Sequence, residues 1–185
     1  MTWVKTIPED HATGELKRAY ELVVQTRGKV SNIMRSLSLN PSVLRLFVEL
    51  YTTLVYGKSG LSRRERETIA TLISARNHCL YCTTHHAEAL RFYLKDDAQL
   101  QALKASKLPD DMPLRTKAIV DYAMKLTTEP EKVTAKDLDN LRDIGISESE
   151  ILDLVVLTSY MNFETRMASG LGVSHDEQEV KGYKY

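Results

Sequence analysis

Apolar side chains recur along this chain at the spacing of helical faces. Val43, Leu44, Phe47, Leu50, Tyr51, Leu54 and Val55 fall on one stripe, and Gly57 follows as a stop signal. Leu16, Ala19, Tyr20, Val23 and Val24 mark an earlier helix ending near Gly28. Ala118, Ile119, Tyr122 and Leu126 mark a later one, closed before Pro130. Three helix starts are announced by their caps. Ser62 with Glu65 stands ahead of Ile69, Leu72 and Ile73. Thr134 with Asp137 opens a short helix through Leu138 and Leu141 that Gly145 ends. Ser147 with Glu150 opens the last helix, which carries Ile151, Leu154, Val155, Thr158 and Met161 and runs to about Gly170. No segment alternates apolar and polar residues between hairpin turns, so no strand is predicted. Short connections are punctuated by Pro41, Pro109, Pro113 and Pro130. The expected fold class is all-α: one helical bundle spanning residues 1–185, with a helical N-terminal subregion packed against the core.

Composition narrows the partners. The chain has 185 residues, enough for one sizeable core, with 25 acidic and 25 basic side chains. Zero formal charge gives neither nucleic acid nor an anionic membrane the basic surplus it would need. No stretch approaches the roughly 18 apolar residues of a membrane span, and residues 1–10 hold no apolar run for a signal peptide. A soluble, cytoplasmic protein is expected.

The two cysteines change the picture. Cys79 and Cys82 are the only ones, two residues apart, so a disulfide between them closes almost no loop and adds little as a staple. Their use is chemical. The segment reads NHCLYCTTHHAEALRFY. If Cys79 opens a helix, then Cys82, His86, Ala89, Leu90 and Tyr93 share one stripe. A helix N-terminus carries partial positive charge and unpaired N–H groups, which stabilise a thiolate, the reactive form. An imidazole four residues on can take or return a proton near neutral pH. A second thiol can attack the sulfenic acid left by peroxide, giving a disulfide and water. Rival readings exist. Two cysteines can be small core residues, and Cys79, Cys82, His85 and His86 can be zinc ligands. Structural zinc, however, usually ties separated segments together, whereas these four lie within eight residues. A thioredoxin-like site needs a βαβ context, which is missing here.

Glu67 lies on the helix before the pair, among Arg63, Arg64, Glu65 and Arg66, where a glutamate is most often a solvated charge. Folding that helix back as a hairpin brings position 67 roughly level with position 91. His86 is then offset by about five residues, on the order of 7 Å. Either a favourable crossing angle or a bridging water would close that gap. Elsewhere, His11, His78 and His175 read as surface or capping residues. Tyr160, Asn162 and Arg166 sit on the last helix, where Arg166 either pairs with a carboxylate near the site or is simply solvated.

Glu67, eleven residues, Cys79, two residues, Cys82, three residues, His86 is the spacing E-x11-C-x2-C-x3-H. It resembles the motif of the AhpD-like alkylhydroperoxidases, within the broader carboxymuconolactone decarboxylase-like family. LSRRERETIATLISARNHCLYC is similar to the family's core helix, and YMNFETRMASGLGV to the tail of its peroxidase-related branch, which Tyr81, His85 and His86 also fit. The resemblance covers a motif-bearing core at about residues 40–175, leaving residues 1–39 as a helical N-terminal extension. It implies an AhpD-like helical bundle assembled as a homo-oligomer, a trimer or hexamer. Cys82 would be the peroxidatic cysteine, Cys79 the resolving thiol and proton donor, and Glu67 and His86 the proton relay. The implied activity is reduction of a hydroperoxide, with a dithiol or a lipoylated protein as reductant and no cofactor. A thiol redox sensor, a disulfide-exchange protein and a decarboxylase-like lyase are the alternatives. One departure stands out: AhpD has a histidine where this chain has Tyr81, before the second cysteine.

Overall fold

The computed structural model describes residues 2–185, and among these every regular element is helical. Nine α-helices follow in order: α1 Gly14–Arg27, α2 Asn32–Ser36, α3 Pro41–Tyr56, α4 Arg63–Arg76, α5 Leu80–Tyr93, α6 Asp97–Lys104, α7 Leu114–Thr128, α8 Ala135–Asp143 and α9 Glu148–Gly170. The short helices α2 and α6 lack a clear sequence signal, because five and eight residues hold too few turns to show a period. Side chains from α1 and α2 join the same apolar cluster as those from α3 to α9.

The caps behave as local chemistry dictates. Ser62 accepts the Glu65 N–H while Glu65 accepts the Ser62 N–H, and Ser147 and Glu150 repeat the exchange at α9. One guanidinium joins the two boxes: Arg115 on α7 donates to Glu65 at 3.0 Å and to Glu150 at 2.7 Å.

Helix α4 is the centre of the bundle, touched by α3, α5, α6, α7 and α9. All residues from Glu65 to Ser74 are buried. A helix enclosed this way is normally apolar all round, yet α4 opens with RRERET. Apart from the exposed Arg64, its charges are paired or hydrogen-bonded. Arg66 donates to the carbonyls of Leu54 and Gly57 at 3.1 and 2.9 Å, and Arg63 to that of Val55. The first turns of α4 thus satisfy the orphan carbonyls at the end of α3. Glu67, whose place in a charged run reads as a solvated one, is therefore enclosed, while Arg64 stays exposed.

Residues 171–185 follow α9 without regular helix and run back over the α1–α2 corner. They are pinned there: Lys184 N–H donates to Arg27 O at 3.0 Å, the Asn32 amide to Ser174 O at 2.7 Å, and Tyr56 OH to Lys184 O at 3.1 Å.

Candidate active site

The α4–α5 hairpin is built by a tight helix stop. Asn77 ends α4, and His78 takes a left-handed conformation at φ 56°. His78 N–H donates to Ala75 O at 3.1 Å and Cys79 N–H to Ser74 O at 3.0 Å, the paired bonds of a Schellman motif. Cys79 is at once the last residue of that stop and the N-cap of α5. Its sulfur accepts the Cys82 N–H at 3.3 Å. Both sulfurs thus sit at a helix N-terminus, joined as a disulfide with their Cα atoms 5.4 Å apart.

Glu67 meets His86 directly. Its Oε2 lies 3.0 Å from His86 Nδ1, and its Oε1 accepts from Arg63 at 2.9 Å. The turn centres on residue 78, which sets position 67 level with about position 89 rather than 91. The remaining offset of three residues, on the order of 4.5 Å, is spanned by the two side chains, and no water is needed. Glu67 is only 1% exposed. Burial alone would raise its pKa, but His86, Arg63 and Arg27 together hold it below the ordinary carboxylate range.

A third residue closes the group, one with no spacing signal in the sequence. Glu164 on α9 is buried, with Oε2 3.7 Å from His86 Nε2. The imidazole thus stands between two carboxylates from different helices. Burial disfavours its charge, yet Glu164 and Glu67 lift its pKa to about 9. Arg27 from α1 completes the charge balance, donating to the hydroxyls of Tyr51, at 2.7 Å, and Tyr56. Cys82, His86, Glu164, Arg27, Tyr51 and Tyr81 all border one small cavity, with about 20 Å³ open to the centres of water-sized molecules. That is room for about one water.

Tyr81 and His85, which also border this cavity, reach the C-terminal segment. Glu179 Oε1 accepts from Tyr81 OH at 3.0 Å, Tyr183 OH at 3.0 Å and Asn32 N–H at 2.9 Å, and its Oε2 lies 2.6 Å from His85 Nε2. Burial opposes ionisation of Glu179, but His85, Asn32 and Tyr81 hold its pKa at about 2. The two histidines are paired with different carboxylates, and both border the cavity that Cys82 lines. Among the described residues no group of three or more metal-ligating side chains is placed to hold an ion. His175 is no free surface histidine: its ring lies 5.9 Å from Tyr81 and 5.6 Å from His85. Among the described residues Arg166 makes no carboxylate pair near the site. It donates to Asn162, on its own helix. Asn162 instead braces the hairpin turn through Asn77 at 2.9 Å.

Comparison with known proteins bears on the family and the fold. The family model described as PA26 p53-induced protein (sestrin) matches residues 2–184. No curated protein matches the chain. Among solved structures, the alkylhydroperoxidase AhpD core of an uncharacterized peroxidase-related protein from Ralstonia eutropha JMP134 superposes with a TM-score of 0.86. It is 26% identical, over 97% of this chain and 94% of that one. An uncharacterized peroxidase-related protein from Silicibacter sp. TM1040 gives 0.85 at 26% identity over the same shares, 97% and 94%. The debrominase Bmp8 gives 0.76 at 16% identity, over 95% of this chain and 96% of that one, which is likeness of fold alone.

Proposed function

Since the chain belongs to the PA26 p53-induced protein (sestrin) family and carries the AhpD-like fold, we propose that it is a thiol-dependent peroxidase working through Cys79, Cys82, His86 and Glu67. The observation that carries this is the cysteine pair at the α5 N-terminus, on the same helix face as an imidazole held by a buried carboxylate. In the reduced protein, Cys82 passes its proton to His86, and the thiolate is stabilised by the helix terminus. It attacks the hydroxyl oxygen of the hydroperoxide. The O–O bond breaks, sulfur is oxidised to the sulfenic acid, and the leaving oxygen departs as an alcohol or water with the imidazolium proton. The Cys79 thiol then displaces water from the sulfenic acid and forms the disulfide. A dithiol or lipoylated protein returns two electrons and two protons.

The relatives with peroxidase-related names support this reading, while the debrominase has the same fold, so fold alone does not choose the substrate. The cavity favours a compact oxidant over a bulky one. Dependence on thiol recycling fits a reducing, cytoplasmic setting, and among the described residues no helix is long and apolar enough to cross a membrane. Exposed Leu46 and Leu50 on α3, and Val156 and Phe163 on the adjoining α9, favour assembly with further copies of the chain.

The test is mass spectrometry of the peptide containing Cys79 and Cys82 after one equivalent of peroxide, with and without a dithiol, alongside steady-state turnover. Peroxide is expected to oxidise Cys82 first, and Cys79→Ser to trap its sulfenic acid. Repeated turnover marks an enzyme, and a single slow oxidation marks a redox sensor. Thiols left unmodified at neutral pH would defeat both.

A further inference from the structure

We propose that Glu164 is the second carboxylate of the thiol site, a positioning residue that keeps His86 Nε2 protonated for delivery to the leaving oxygen of the peroxide. The inference rests on the peroxidase reading above. It starts from a geometry that reading does not use.

A histidine that serves a nucleophile is ordinarily held by one acceptor, leaving its second nitrogen free. Glu67 already fills that role on Nδ1 at 3.0 Å. On the far side of the ring, Glu164 reaches in from α9, 6% exposed, and its Oε2 has no hydrogen-bond partner. A buried carboxylate oxygen left unpaired is costly, and an apolar side chain would fill this place on α9 without that cost. The separation of 3.7 Å from Nε2 is too long for a hydrogen bond and short enough for strong attraction between charges. Both consequences matter. The charge on Glu164 favours the imidazolium, while no hydrogen bond occupies Nε2, and His86 borders the same cavity as Cys82.

The other charged and titratable groups around the ring add to the balance. Arg63 stands behind Glu67 on α4, Arg27 enters from α1, and Tyr51 comes from α3. Tyr160 lies one turn before Glu164, and Cys82 lies on the ring's own helix. Two carboxylates face two guanidiniums and the imidazolium, so removing the Glu164 charge widens the excess of positive charge beside the ring. That excess favours loss of the His86 proton.

In the chemical step the Cys82 thiolate bonds to the hydroxyl oxygen of ROOH as the O–O bond breaks. RO⁻ takes the Nε2 proton and leaves as ROH, and sulfur is oxidised by two electrons to Cys82–SOH. His86 is left neutral between its carboxylates. It recharges from Cys82 once a dithiol has reduced the Cys79–Cys82 disulfide.

Two measurements on the full chain test this, with Glu164→Gln and Glu164→Asp compared against the parent. NMR titration of the His86 ring in the oxidised protein should show its pKa, about 9 in the parent, fall by about one unit or more in Glu164→Gln. Glu164→Asp should restore most of it. The rate of Cys82 oxidation by hydrogen peroxide from pH 6 to 10 should lose its alkaline limb at correspondingly lower pH in Glu164→Gln. Near pH 6 the rates should agree within a few-fold. An unmoved His86 titration overturns the proposal, and so does a uniform loss of rate that Glu164→Asp does not rescue. Should the parent fail to react with peroxide, the peroxidase reading falls and proton delivery with it. The NMR arm then still decides whether Glu164 holds the proton on His86.

Discussion

His85 and His86 are neighbours in sequence, but an α-helix turns successive side chains by about 100°, and the two rings work in different surroundings. His86 points into the bundle, between Glu67 on α4 and Glu164 on α9, enclosed by long helices. His85 points toward the C-terminal segment, against Glu179, where there is no regular helix. Each is a histidine against a carboxylate at short distance, 3.0 Å inside and 2.6 Å outside. The difference lies in what holds the carboxylate. Glu67 is fixed by its own helix and by Arg63 one turn earlier, so its place is set by helix geometry. Glu179 is fixed by the hydrogen bonds it accepts, from Tyr81, Tyr183 and Asn32. The inner pair is part of the packed core. The outer pair is a clasp whose strength is the sum of its bonds, and such segments open locally at lower free energy than a core.

The largest effect should come from the inner side. Glu67→Ala leaves Arg63 without its buried partner and His86 with Glu164 alone, and breaking a buried pair costs about 3–5 kcal/mol. Urea unfolding should show that loss together with near-complete loss of peroxide turnover. A loss below about 1 kcal/mol would mean that the charges are solvated and the inner site is no tighter than the outer one.

Glu179→Ala should act more locally. It removes the acceptor shared by three donors and the partner of His85. Hydrogen bonds to a charged group contribute about 1.5–3 kcal/mol, but the segment can open to water and recover part of this. Amide exchange should accelerate in residues 174–185 and around Asn32, with α4 and α9 unchanged. Equal acceleration across α4 would erase the contrast between core and clasp.

Protonation separates the two sides further. The folded pKa of His86, about 9, lies above its ordinary 6.5. Its charge therefore contributes stability fully below about 6.5, and that stability is lost as pH rises through about 9. Glu179 titrates at about 2 against an ordinary 4.5, so its contribution is present above 4.5 and lost as pH falls toward about 2. Glu67, also held low, adds to the acid side. The gap in Tm between the parent and His86→Gln should narrow on the alkaline side. The gap to Glu179→Gln should narrow on the acid side. Gaps that stay constant across pH 2 to 10 would show that neither carboxylate–histidine pair carries charge.

The same contrast decides what was legible in the sequence. Helix ends were readable because caps are local: Ser62 with Glu65 and Ser147 with Glu150 form the bonds their spacing predicts. Cys79, Cys82 and His86 were readable as one helical stripe opening at an N-cap. Glu67 needed the resemblance, because its contact with His86 depends on how the turn at His78 sets the hairpin's register. Glu164 and Glu179 lie about 80 and 95 positions beyond the motif and carry no periodic signal. Their placement follows from packing α9 on α4 and from the path of the chain after Gly170. The burial of Arg66 and the second partner of Glu65 were not legible either, since only the folded bundle brings α3 carbonyls and Arg115 to them.

The smallest and sharpest test concerns a single oxygen of the clasp. Tyr183→Phe removes one of the three donors to Glu179 Oε1 and keeps the ring, which lies 5.2 Å from the Arg27 guanidinium and 4.5 Å from the Lys29 ammonium. Two donors and His85 remain, so no buried charge is stranded, and the loss should be about 0.5–1.5 kcal/mol. If the clasp is a sum of separable bonds, the exchange rates of residues 174–185 should rise by an amount intermediate between the parent and Glu179→Ala. If Tyr183→Phe alone releases the segment as fully as Glu179→Ala, then the outer side opens as one cooperative unit. It would then resemble the core side more closely than its lack of helix implies.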